Sequence, residues 1–186
     1  MEPFRSVRGG GARARLTPAE ASLLRNLVGQ VMALVEPADQ AGQEPAQQDD
    51  LAALEALLRA PGAAQTPDDP VLARLLPDGY RDDPEAAGEF RKYTEPALRG
   101  AKHAAAREML DTLPENGGRV QLTNQQALSW LKALNDVRLA LGVRLGVTEE
   151  FEEQWARLKP DDPKWAAFEV YGWLGAVQES LVQALA

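Results

Sequence analysis

A single histidine, His103, and no cysteine leave this chain little with which to do metal or covalent chemistry. One histidine rules out a two-His zinc centre and a Glu-x-x-His pair. Without cysteine there is no thiolate nucleophile, no disulfide and no thiol switch. The hydroxyls fare no better: Ser6, Ser22, Ser129 and Ser180 all lack the Gly-x-Ser-x-Gly setting of a nucleophile elbow. Gly9-Gly10-Gly11 leads into alternating arginines rather than a helix opening with Lys-Ser/Thr, so it is no phosphate loop. Two acidic clusters, Asp82-Asp83-Glu85-Glu89 and Glu149-Glu150-Glu152-Glu153, lack the alternating order of a calcium loop. They sit where acids favour a helix macrodipole. We expect no enzyme, no cofactor and no metal site.

The remaining chemistry is that of charge and of aromatic rings. Ala127, Leu131, Leu134, Leu141 and Leu145 step by three, four or seven residues, and Arg138 projects from the centre of that helical stripe. A guanidinium stays charged when buried, so it must meet a carboxylate or reach water. The candidate acids are Asp78, Asp82, Asp83, Glu85, Glu89 and Glu179, whereas Asp136 points about 160° away on the helical wheel. A matching stripe, Ala167, Tyr171, Leu174, Leu181 and Leu185, carries Gln178 where the first carries Arg138. Both are expected as structural buried polar residues in a shared layer; the functional alternative is an anion-binding cleft around Arg138. At the other end, Arg5, Arg8, Arg13, Arg15 and Arg25 against Glu2 and Glu20 give residues 1–35 a net charge of +3, against −11 for the remainder; the first four are the exposed set in question. They are candidates for contact with nucleic acid or an acidic partner, although an acidic body repels nucleic acid at long range. Trp155 and Trp165, near the Pro160 turn, are candidate partner contacts, since tryptophan is enriched at interface hot spots.

The elements that must carry these residues are mostly helical. Phe4–Arg8 and Ala12–Leu16 flank three glycines, and Ala12, Ala14 and Leu16 alternate with Arg13 and Arg15, which predicts a hairpin. Thr17-Pro18-Ala19-Glu20 opens a helix as a capping box, with Leu24, Leu27, Val28, Val31 and Val35 inward. Polar loops are expected at about 36–48 and 60–69, around a short helix at about 49–59. Val71–Leu76 makes a turn or two of helix, stopped by Pro77-Asp78-Gly79. Asp83-Pro84-Glu85 starts another helix, expected to break at Thr94-Glu95-Pro96. Arg119–Leu122 reads as a short strand able to join the hairpin. Thr123-Asn124-Gln125-Gln126 caps the Arg138 helix, Thr148 caps one of about ten residues through Leu158, and Asp162-Pro163 opens the last, to about Leu185. This is a mainly α fold: a single-domain bundle of about six helices over 1–186 with a small N-terminal β-hairpin.

At 186 residues and 45% hydrophobic, the chain can bury one core. No apolar run approaches the roughly 18–20 residues that span a bilayer. Met-Glu-Pro-Phe-Arg lacks the apolar stretch of a secretion signal, so we expect a cytoplasmic protein without membrane contact.

Three blocks carry a resemblance. They are Leu75-Leu76-Pro77-Asp78-Gly79-Tyr80-Arg81-Asp82-Asp83-Pro84 with Glu89-Phe90-Arg91-Lys92-Tyr93-Thr94-Glu95, the run from Trp130 to Gly146, and Tyr171-Gly172-Trp173-Leu174 with Gln178-Glu179-Ser180-Leu181. As a set, and over most of the chain except 36–69, they resemble the actinobacterial oxidative stress regulator AosR family, formerly a domain of unknown function. The resemblance implies a non-enzymatic transcription regulator acting by protein contact. It implies a sigma factor as partner, or a component of the Clp proteolysis system. A cysteine switch cannot carry over to a chain without cysteine. The alternative is a DNA-contacting protein that uses the basic N-terminal segment.

Overall fold

The computed structural model describes residues 1–36, 67–80, 82–159, 161–162 and 164–186. The helix expected at 49–59 and most of the two flanking loops lie outside the described residues. Three strands, β1 (Glu2–Ser6), β2 (Ala12–Leu16) and β3 (Gly118–Leu122), form an antiparallel sheet in the order β1-β2-β3. Six helices follow among the described residues: α1 (Pro18–Leu34), α2 (Pro70–Leu75), α3 (Pro84–Thr112), α4 (Asn124–Leu145), α5 (Phe151–Arg157) and α6 (Trp165–Leu185). The fold is mainly α, as the sequence predicts, and the third strand does join the hairpin.

Local chemistry sets the starts. Thr17 accepts from the Glu20 amide while the Glu20 carboxylate accepts from the Thr17 amide, closing a capping box at α1. Thr123 and Gln126 repeat the arrangement at α4. Gly146 ends α4 in the left-handed conformation, φ 66°, which glycine adopts without a Cβ penalty.

α4 is the hub. It packs against α1, α2, α3, α6 and β3, so it buries two faces rather than one. Its buried residues are Ala127, Trp130, Ala133, Leu134, Asp136, Val137, Ala140 and Gly142, while Leu131, Leu141 and Leu145 of the expected stripe are only half-buried. The expected face is therefore displaced, because a helix surrounded by neighbours has no single inward direction. Across the α3–α4 contact Trp130 Nε1 donates to Thr112 Oγ1 at 2.7 Å. Under the sheet, Phe4, Ala12, Ala14, Leu16, Val120 and Leu122 close the core against Trp130, whose ring meets Phe4 edge to face at 5.7 Å.

Three boundaries differ from expectation. α3 runs through Pro96 without breaking. The proline removes one hydrogen bond, but Glu95 binds both Arg91 and Arg99 at 2.7 Å, bracing one turn on each side. Thr148 does not cap α5: its hydroxyl accepts from the Glu150 amide, and only seven residues, Phe151–Arg157, are helical. The last helix begins at Trp165, after the Asp162 carboxylate has accepted from the Lys164 amide.

Candidate functional site

Strand alternation separates two faces of the sheet. While the alanines and leucines of β2 turn inward, Arg13 and Arg15 turn out. Register then adds neighbours: Arg5 lies opposite Arg13, and Arg119 of β3 lies opposite Arg15. A bulge between Glu2 and Arg5 leaves both exposed. The outer face thus gathers four arginines, their Cβ positions about 5 Å apart across strands and about 7 Å apart along them. Like charges directly opposite each other are destabilising. Among the described residues none of the four makes a hydrogen bond or an ion pair, and Glu2 is the one acid on the depression they line. Arg8 stands apart, exposed in the hairpin turn rather than on the strand. What the face offers chemically is a set of rigid forks that match carboxylate or phosphate oxygens two at a time.

Behind Arg5 and Arg13, the hairpin is fixed by glycine. Gly11 has φ +91°, and a Cβ there would run into the Leu122 carbonyl oxygen. Its amide donates to the Asn124 side chain at 2.6 Å, which ties the hairpin to the start of α4.

Arg138 and Gln178 are brought together: Nη1 donates to Gln178 Oε1 at 2.8 Å. The expected carboxylate is absent, and neither residue is buried; both are half-buried. The guanidinium instead lies over the Tyr171 ring, 5.3 Å from its centroid, and above Gly175, at the margin of the α4–α6 seam. A neutral amide and a ring face suffice there because the cation keeps access to water. Its Nε is buried without a partner. No carboxylate or second cation converges on it, so it forms no anion cleft among the described residues. Trp155 and Trp165 are also half-buried, packed edge to face at 6.3 Å in a cluster with Phe151, Phe168 and Tyr171.

Two charged residues outside the expected sites, Arg91 and Asp136, are more deeply placed. Arg91 is 4% exposed; it donates to Glu95 Oε2 at 2.7 Å, to the Leu76 carbonyl at 3.0 Å and, from Nε and Nη2, to Asp78 Oδ1. Asp136, equally buried, accepts from Lys102 at 2.6 Å across the α3–α4 contact. Burial raises the Asp136 pKa above the usual aspartate range and Lys102 offsets only part of that. Each had a signal in the spacing. Arg91, Glu95 and Arg99 are four residues apart, and Asp136 shares a stripe with Ala133 and Ala140.

Among the described residues no group of three or more metal-ligating side chains could hold a metal ion, and no helix is long and apolar enough to cross a membrane. Comparison with known proteins matches residues 1–185 to a family described as Domain of unknown function (DUF2017). The chain is 41% identical over 186 residues to the Mycobacterium tuberculosis protein named Oxidative stress regulator AosR, covering 93% of this chain and 81% of that protein. The Mycobacterium bovis protein of the same name matches with the same figures. A third relative, from Mycobacterium leprae and bearing a provisional form of that name, is 37% identical over 193 residues, covering 97% of this chain and 85% of its own. No solved structure matches the chain.

Proposed function

This chain belongs to the DUF2017 family, and from that premise we propose that it is a non-enzymatic regulator of the oxidative stress response that acts by contact with a protein partner. Its relatives' name supports the regulatory role. The observation that carries the mode of action is the arginine face, four exposed cations that make no ion pair among the described residues, with Glu2, opposite Arg15, the one acid on the depression they line. Such a face is suited to an external anion, and carboxylates on a partner fit its forks. The partner we favour is of the sigma-factor type, with a Clp component as the alternative. Without a cysteine, this chain has no thiol to oxidise, so in this reading an oxidative signal reaches it through the partner.

Duplex DNA is the weaker ligand for the same face. A net charge of −8 opposes the approach of phosphate at long range. Pull-down from a lysate of the source organism, under reducing and oxidising conditions, tests the proposal. Wild type should recover a sigma factor or Clp component, and the Arg13→Glu, Arg15→Glu double variant should lose it. Recovery of neither, or equal recovery by both proteins, refutes the proposal. Salt-sensitive binding of a labelled duplex by wild type alone would reassign the face to DNA.

A further inference from the structure

Four of the large apolar side chains exposed among the described residues gather at one corner: Tyr80 (51%), Phe90 (46%), Tyr93 (74%) and Leu98 (37%). Exposed hydrophobics scattered singly are ordinary, whereas a gathered set marks an interaction surface. This one lies where the turn after α2 meets the first half of α3, and it is held stiffly. The Arg91 clamp joins α3 to Asp78 and to the Leu76 carbonyl, so turn and helix cannot slide past each other. A Cβ on Gly79 would fall 2.6 Å from Phe90 Cδ1, so glycine is what lets that ring lie over the turn. Tyr80 then meets Phe90 edge to face, with centroids 5.7 Å apart and planes at 89°. Side chains already fixed in place lose little entropy on binding.

The surroundings specify the occupant. Phe90, Thr94 and Leu98 follow one another at successive turns of α3, and between them and Leu76 and Pro77 runs a shallow cleft. Glu89 and Glu85 lie one and two turns before Tyr93 on the adjoining row, with Asp82 and Asp83 before the helix start, all exposed. Among the described residues Lys92, 6.0 Å from the Tyr93 ring centroid, is a cation beside the strip, and Arg91 is engaged by Asp78 and Glu95. We infer that this corner docks a single amphipathic helix of another protein, one with apolar residues at i, i+3 or i+4 and i+7 and with Lys or Arg along the flank that meets Glu85 and Glu89. Amphipathic helices dock their apolar faces on such exposed apolar strips, and charge complementarity sets their orientation. A second copy packed patch to patch would set Glu85, Glu89, Asp82 and Asp83 against their own images. Anionic lipid meets the same repulsion. The surface shares no residue with the arginine face of the sheet, so it stands or falls independently of it.

The test is fluorescence anisotropy with a labelled synthetic helix bearing Leu at i, i+3, i+4 and i+7 and Lys on one flank, titrated with the full chain. A copy with Glu in place of Lys serves as the control. Wild type should bind the Lys helix saturably, one to one, and ignore the Glu helix. The Phe90→Ser, Tyr93→Ser variant alters exposed side chains and no charge; it should weaken binding by about ten-fold or more. The Glu85→Lys, Glu89→Lys variant should weaken it too, and Arg13→Glu, Arg15→Glu should not. Loss of affinity in the charge variant but not in the aromatic one would reduce the effect to attraction by an acidic protein and sink the inference. Absence of saturable binding would sink it as well. So would light scattering that shows a wild-type dimer reduced to monomer by the aromatic variant, since the face would then belong to a second copy.

Discussion

Arg91→Met removes the guanidinium that joins α3 to the turn after α2 and leaves an unbranched side chain in its space. Breaking a buried ion pair from one side costs about 3–5 kcal/mol, because the remaining partner stays buried and unpaired. Two features of this site lower the figure. The Asp78 and Glu95 side chains keep 29% and 18% of their exposure, so water reaches both, and Glu95 retains Arg99 at 2.7 Å. The expected loss is about 2–3 kcal/mol once that solvent access is allowed for. In a chain of this size it corresponds to a fall in Tm of roughly 4–12 °C. Arg138→Met is the matched comparison. It gives up one hydrogen bond to the uncharged Gln178 and the cation's contact with the Tyr171 ring, but it also removes a buried Nε that has no partner, and methionine can still pack against that ring. The net cost is therefore about 1 kcal/mol or less, a shift within roughly 4 °C. Differential scanning calorimetry of wild type and both variants in one neutral buffer decides the matter. If Arg138→Met melts lower than Arg91→Met, the assignment of Arg91 as the buried tie is wrong.

Acidification should destabilise the fold through Glu95. Burial pushes its pKa up, but hydrogen bonds from Arg91 and Arg99 outweigh this and hold it below the usual glutamate range. Stability from a depressed carboxyl is present above its unfolded pKa and lost as pH falls through the folded one, so Tm should drop below about pH 4.3. Glu95→Gln should flatten that drop, and an unchanged slope counts against the clamp. Asp136 has the opposite sign: its raised pKa makes its contribution full at low pH and smaller as pH rises through the folded value. The Tm of Asp136→Asn relative to wild type should accordingly climb with pH, and a flat difference would refute it. Gly11→Ala combines a left-handed φ with a clash against the Leu122 carbonyl and should cost at least about 2 kcal/mol, while Gly9→Ala, in open space, pays only the backbone strain of about 1 kcal/mol. Equal melting curves for the two would contradict the account of the hairpin.

What could be read in the chain was the chemistry carried by near neighbours. Both capping boxes, the alternating arginines of β2 and the stop at Pro77-Asp78-Gly79 need only residues a few positions apart, and each stands where its spacing puts it. Pro96 misled for the same reason. The rule that proline breaks a helix is local, and here it is outweighed by ion pairs that bracket it one turn either way. Arg138 was conspicuous in a stripe drawn on the assumption of one inward face, whereas α4 is enclosed on several sides. Burial followed the small-residue stripe that carries Asp136. The candidate sites divide in the same way. Three of the four face arginines lie within eleven residues of one another; the fourth, Arg119, becomes a neighbour only when β3 closes the sheet. The corner of Tyr80, Phe90 and Tyr93 could not be told from core by residue type, since nothing in the sequence says that two exposed elements share it.

The sheet has a further consequence for how the molecule is made. β2 finds its second neighbour, β3, about a hundred residues later, and β1 is covered by α6, where the Phe4 amide donates to Ser180 Oγ at 3.3 Å across 176 positions of chain. Pairings so distant carry a heavy loop-closure cost and slow the search for the native state. During synthesis the hairpin emerges well before α6 and then waits, its apolar underside incompletely covered, until α6 has left the ribosome. A nascent chain of this protein is therefore most exposed to misassembly at the hairpin, and the cover of β1 is completed only by α6.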